Sequence, residues 1–75
     1  MMRGIYDKKG EQFAYVEGSA LFTLEDEPSG FLRGEFIVDL AGNKRWRLVG
    51  DAIFTLDESQ SIGFIGAETP SVDFD

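Results

Sequence analysis

LFTLEDEPSGFLRGEF (residues 21–36) and IFTLDESQSIGFIGAE (residues 53–68) are two versions of one pattern. Each opens on a β-branched or aromatic run, breaks at acidic residues, and returns to an apolar run closed by Gly. The stretches around them, IYDKKGEQFAYVEGSA (5–20) and IVDLAGNKRWRLVGDA (37–52), fit the same frame. Residues 5–68 therefore divide into four 16-residue repeats (5–20, 21–36, 37–52 and 53–68), with a one-residue slip allowed near Gly63. The first column reads Ile5, Leu21, Ile37, Ile53, and the twelfth Val16, Leu32, Leu48, Phe64. The fourteenth is Gly in every copy: Gly18, Gly34, Gly50 and Gly66.

Within each copy two short segments have strand chemistry. LFTL, IVDL and IFTL are rich in β-branched and aromatic residues, while AYVE, GFLR and WRLV alternate with a period of two. Gly18-Ser19, Gly34-Glu35 and Gly50-Asp51 suit two-residue type II′ hairpins, whose first central residue needs positive φ. Asp7-Lys8-Lys9-Gly10 and Asp39-Leu40-Ala41-Gly42 place Asp and Gly at the ends of type I turns. Short turns at every bend make successive strands antiparallel neighbours, and the fold class is all-β: an eight-strand meander.

A flat meander leaves two raw edges and an uncovered face, whereas four hairpins in a pseudo-four-fold ring, as a closed barrel or a rosette, avoid both. The expected core is the first and twelfth columns, joined by Phe22, Leu24, Phe54 and Leu56. At a spacing of 32 the match improves, with Ala20/Ala52, Phe22/Phe54, Thr23/Thr55 and Leu24/Leu56 identical. The symmetry is thus nearer two-fold than four-fold. The whole chain, 1–75, is one domain, with a lead-in at 1–4 and an acidic tail at 67–75.

The IYDxxG opening at Ile5, the period and the recurrent Gly resemble the bacterial four-fold β-flower domains. The resemblance covers residues 5 to 66 and implies four hairpins radiating as petals about a pseudo-axis; it implies no chemistry. Asp26 and Glu58 stand where the turn Gly of that pattern belongs, so the second and fourth loops are expected to be built differently.

Composition narrows function. Of 75 residues, 43% are hydrophobic and 28% charged, a globular balance, and neither Cys nor His occurs. Disulfides, thiolate chemistry and the commonest general base and metal ligand are thereby removed. A formal charge of −7 opposes nucleic acid and acidic membrane surfaces. The N-terminal residues lack a signal-peptide pattern, so a cytoplasmic location is the expectation. With no nucleophile or nucleotide motif, the expectation is a protein that is not an enzyme and takes no cofactor.

Four features could still bind something. Lys44, Arg45, Trp46 and Arg47 set three cations around the single Trp and are the candidate partner-binding residues, although alternation puts Trp46 on the opposite face from Arg45 and Arg47. Glu25-Asp26-Glu27 and Asp57-Glu58 could hold a hard cation weakly, or be ordinary acidic turns. The third column, Asp7, Thr23, Asp39 and Thr55, could line an axial oxygen site; the simpler role gives the two Asp to turn capping and leaves the two Thr on strands. Tyr15 and Phe31, out of phase with Val16 and Leu32, put apolar rings on the second face. The expected role is therefore a self-associating or protein-docking module, with a homodimer favoured. A small-ligand or cation-binding domain is the alternative.

Overall fold

A computed structural model of the chain describes residues 2–69. The eight strands are β1 (Met2–Asp7), β2 (Gln12–Glu17), β3 (Ala20–Thr23), β4 (Pro28–Arg33), β5 (Phe36–Asp39), β6 (Lys44–Val49), β7 (Ala52–Phe54) and β8 (Ser61–Thr69). They pair in chain order, all antiparallel, and β8 pairs with β1 to close a barrel. The meander expected from the sequence is thus present, closed as a barrel. Residues 67–69, assigned above to the tail, continue β8 opposite Arg3 and Met2; the rest of that tail lies outside the described residues.

Closure of so short a sheet depends on bending every hairpin at the same point. The register shifts between Ile5 and Tyr6, Leu21 and Phe22, Ile37 and Val38, and Ile53 and Phe54. Each shift leaves one residue of the facing strand unpaired: Phe13, Ser29, Arg45 or Ile62. Such β-bulges add local twist and curvature, which closure requires. At the opposite end the pairs Glu17↔Ala20, Arg33↔Phe36 and Val49↔Ala52 close two-residue turns. Gly18, Gly34 and Gly50 there have φ of 63°, 59° and 62°, and the residue after each does not, as a type II′ turn requires.

Inside, Ile5, Val16, Leu21, Ile37 and Ile53 are buried, with Leu32 and Leu48 packed against them. The other expected core residues fall elsewhere. Phe64 is 42% exposed, and Ile65 takes its place at 4%. The cause is the fourth turn, where the Thr55 amide donates to the Gln60 carbonyl; the matching bonds run from Asp7 to Glu11, Thr23 to Glu27 and Asp39 to Asn43. One extra residue in that turn moves the next strand on by one and exchanges its faces. Gly66 consequently sits within β8 and turns no hairpin. Phe22 and Phe54 are half-buried outside the core cluster, opposite Tyr15 and Arg47. Leu24 and Leu56 are turn residues, exposed by 52% and 44%.

One interior level shows how the cross-section is filled. Opposite the first-column residues Ile5, Leu21, Ile37 and Ile53 stand Ala14, Gly30, Trp46 and Gly63. A Cβ on Gly30 would land on the Val38 carbonyl oxygen, and one on Gly63 on that of Tyr6. The neighbouring strands approach too closely there for any side chain. Three small residues at this level leave the space that the indole of Trp46 occupies, packed on the core and edge-on to Phe13 with ring centroids 6.1 Å apart. The β1–β8 seam is fixed from outside. Tyr6 stacks on Phe64 and covers Gly4 and Gly66, while Arg3 donates to the Gly66 carbonyl and pairs with Asp51 at 2.7 Å.

Candidate interaction surface at the turn end of the barrel

Antiparallel order brings the four longer turns to one end of the barrel, between β1 and β2, β3 and β4, β5 and β6, and β7 and β8. The third-column side chain organises each of them. Asp7 Oδ1 accepts from the amides of Lys9 and Glu11, and Asp39 Oδ1 from those of Ala41 and Asn43. Thr23 Oγ1 accepts from the amides of Glu25 and Glu27, and Thr55 Oγ1 from that of Gln60. These oxygens are committed to their own turns and do not converge on the barrel axis. The Thr residues share the capping role that the sequence reading gave only to the Asp residues. Among the described residues no group of three or more Asp or Glu is positioned to hold a metal ion.

The second bond of each turn returns to the cap residue's carbonyl, from Gly10, Asp26, Gly42 or Glu58. All four donors are left-handed, with φ of 86°, 67°, 91° and 62°. The second loop is therefore built like the first and third despite its missing Gly, contrary to expectation. The fourth differs through its extra residue. A left-handed Asp or Glu is strained where Gly is not, and both are held by side-chain contacts. Asp26 accepts from the Tyr15 hydroxyl at 2.7 Å, and that bond is the main reason the phenol pKa is raised. Glu58 lies 3.3 Å from Arg47 Nε.

Capping also shifts acidities. The hydroxyls of Thr55 and Ser59, with the Ser59 amide, hold Asp57 down from 3.8 to about 2. Asp39 is lowered chiefly by the Asn43 amide, with Asn43's side chain, the Ala41 amide and the charge of Arg45 adding to it.

Lys44, Arg45, Trp46 and Arg47 do not form one site. Trp46 points into the barrel, whereas Arg47 lies outside, bonded to Glu35 at 2.9 Å and reaching Glu58. Lys44 sits over the ring of Phe36, 4.2 Å from its centroid. Arg45, the bulge residue, joins Trp46 in lining an open cleft of about 410 Å³ with Leu21, Ser29, Ile37, Val38 and Asp39.

The turn end also carries most of the exposed apolar side chains. Of the six large ones among the described residues, Leu24, Leu40 and Leu56 are turn residues and Phe13 is a bulge beside a turn. The outer wall is better covered. Tyr15 stacks on Phe22 at 5.2 Å, Arg33 lies over Phe31, and Lys44 and Arg47 over Phe36. Of the three leucines the sequence placed only Leu40 in a turn; Leu24 and Leu56, expected in the core, each directly follow a capping Thr and so lie on the loop. Exposed charges surround the same end: Lys8, Lys9 and Glu11 in the first turn, Glu25, Asp26 and Glu27 in the second, Arg45 beside the third, and Asp57 and Glu58 in the fourth. No family model, no curated protein and no solved structure matches this chain.

Proposed function

We propose that this barrel is a non-catalytic, self-associating module, cytoplasmic and homodimeric, that buries its turn end against a second copy. The observation that carries the reading is the gathering of Leu24, Leu40, Leu56 and Phe13, exposed by between 36% and 58%, at one end. Exposed large apolar side chains gathered at one end, among charged neighbours, are a usual mark of a protein contact. The outer aromatics Tyr15 and Phe31 contribute less than alternation alone suggests, since neighbouring side chains already cover them in part. Four hairpins about a common axis accord with the four-fold β-flower reading, which we retain as part of the proposal.

Sedimentation equilibrium tests it. The wild type should give dimer mass in the micromolar range, and Leu24→Ser with Leu40→Ser should return monomer with the fold intact. A wild type that stays monomeric at high micromolar concentration overturns the proposal.

The cleft beside Trp46 favours a second reading, a small-ligand site with an aromatic wall and Arg45 at its rim. A metabolite or metal that raises the melting temperature of the wild type but not of Trp46→Phe would move the assignment there.

A further inference from the structure

We infer that the cleft walled by Trp46 binds a free α-amino acid with an apolar side chain, its ammonium held by Asp39 and its carboxylate by Arg45. The inference rests on the small-ligand reading of that cleft given above, not on self-association, and names the class of ligand. Two opposite charges and an aromatic wall line one cleft, and neither charge is used up within the chain.

Asp39 Oδ1 is occupied by the amides of Ala41 and Asn43, but Oδ2 accepts only the Asn43 side chain, at 3.4 Å. A carboxylate has room for about four donors, so this second oxygen retains capacity. The Asn43 amide first, and the charge of Arg45 with it, hold Asp39 below the usual carboxylate range and keep it ionised. Arg45 thus acts on Asp39 through space, yet among the described residues it makes no ion pair with that or any other acid. Beneath them lie Leu21, Ile37 and Val38, all buried.

The charges select the ligand. An anion drawn to Arg45 meets Asp39 and a chain of net charge −7. A cation drawn to Asp39 meets Arg45. A zwitterion satisfies both and carries no net charge of its own. At about 410 Å³ the cleft has the size of a small-molecule site, and the indole offers an apolar side chain a flat partner.

The pseudo-two-fold supplies a comparison. The counterpart cleft, about 240 Å³, lies between Ile62 and the β1–β2 turn and keeps the capping carboxylate, Asp7. Its cations, Lys8 and Lys9, belong to the turn itself, and among the described residues no aromatic ring lines it. Phe13 and Ala14 occupy the positions of Arg45 and Trp46. The repeat therefore supplies the carboxylate at both clefts and the arginine–tryptophan pair at one.

Trp46 is the single Trp, so its fluorescence reports on the cleft directly. It is titrated with L-phenylalanine, with 3-phenylpropionate, which lacks the ammonium, and with phenethylamine, which lacks the carboxylate. L-Phenylalanine should bind about tenfold tighter than either analogue. Arg45→Gln should weaken L-phenylalanine and 3-phenylpropionate about tenfold and leave phenethylamine unweakened. Asp39→Asn keeps an oxygen for the turn amides, and should weaken L-phenylalanine and phenethylamine but not 3-phenylpropionate. Thermal melts serve as folding controls. Equal binding of the three compounds, or variants that weaken all three alike, overturns the amino-acid assignment. No binding of L-phenylalanine, with another metabolite raising the melting temperature of the wild type but not of Trp46→Phe, overturns the ligand class and leaves the small-ligand reading standing. If no compound moves either readout, both fall.

Discussion

The hairpins β1–β2 and β5–β6 differ systematically from β3–β4 and β7–β8, although all four carry a bulge at the same point. In the first pair the turn is capped by Asp, its left-handed residue is Gly, and the interior position beyond the bulge holds a side chain, Ala14 or Trp46. In the second pair the cap is Thr, the left-handed residue is Asp26 or Glu58, and the interior position is Gly30 or Gly63. The difference teaches that one bent hairpin can be reached by two chemistries, and that alternating them fills a barrel too narrow for four identical hairpins. Trp46 fits because Gly30 and Gly63 do not compete with it. The alternation also sets the charge of the turns, since an acid replaces Gly only in the acidic pair.

The largest effect should come from forcing one hairpin type to accept the other's interior residue. Gly30→Ala drives a methyl into the Val38 carbonyl and should cost about 3 kcal/mol, read by urea denaturation. Ala14→Gly, the reverse exchange in β1–β2, should cost about 1 kcal/mol. Equal costs would mean that the close strand approach at Gly30 is not a real asymmetry.

Much of the alternation was legible in the sequence because it is written in residues with few conformational options. A Gly before a polar residue specified the tight turns, and the identities at a spacing of 32 marked the two hairpin types. The face of Phe64 was not legible. An extra turn residue between Thr55 and Gln60 changes no propensity, yet it exchanges every side chain of β8 between inside and outside. Nor were Leu24 and Leu56 read correctly. Apolar character argued for the core, while the geometry of a turn capped at Thr23 or Thr55 decided for the surface. The common backbone of the first three turns was hidden because a left-handed Asp is disfavoured locally and is sustained by Tyr15, eleven residues away.

A smaller effect sharpens the comparison at the left-handed position. Glu58→Gly relieves a strained backbone and should stabilise the barrel by about 1 kcal/mol. Asp26→Gly should gain less, because it also deletes the bond from Tyr15. Gly42→Ala should lose about 1 kcal/mol by the same reasoning reversed. A destabilised Glu58→Gly would show that the Arg47 contact outweighs the strain.

The smallest effect separates carboxylate from hydroxyl in the turns. Asp57 is lowered to about 2 in the folded chain, so its stabilising contribution is complete above its ordinary value near 3.8 and is lost as pH falls through about 2. Asp39 follows in the same direction. Thr23 has no proton to gain in this range, so the β3–β4 turn keeps its cap in acid. Carboxyl-carbon NMR titration should find Asp57 well below an exposed carboxylate. An ordinary midpoint would contradict the bonds from Thr55 and Ser59.

The claim that the turn end is the contact surface can be read directly from amide chemical shifts in a dilution series spanning the dissociation constant. The account predicts shifts that move with concentration at Phe13 and in the turns at residues 24–27, 40–43 and 56–59, and none at Gly18, Gly34 and Gly50 on the opposite end. Concentration-dependent shifts centred on those three glycines or on the outer ring of Phe64, with the turn end unmoved, would contradict it.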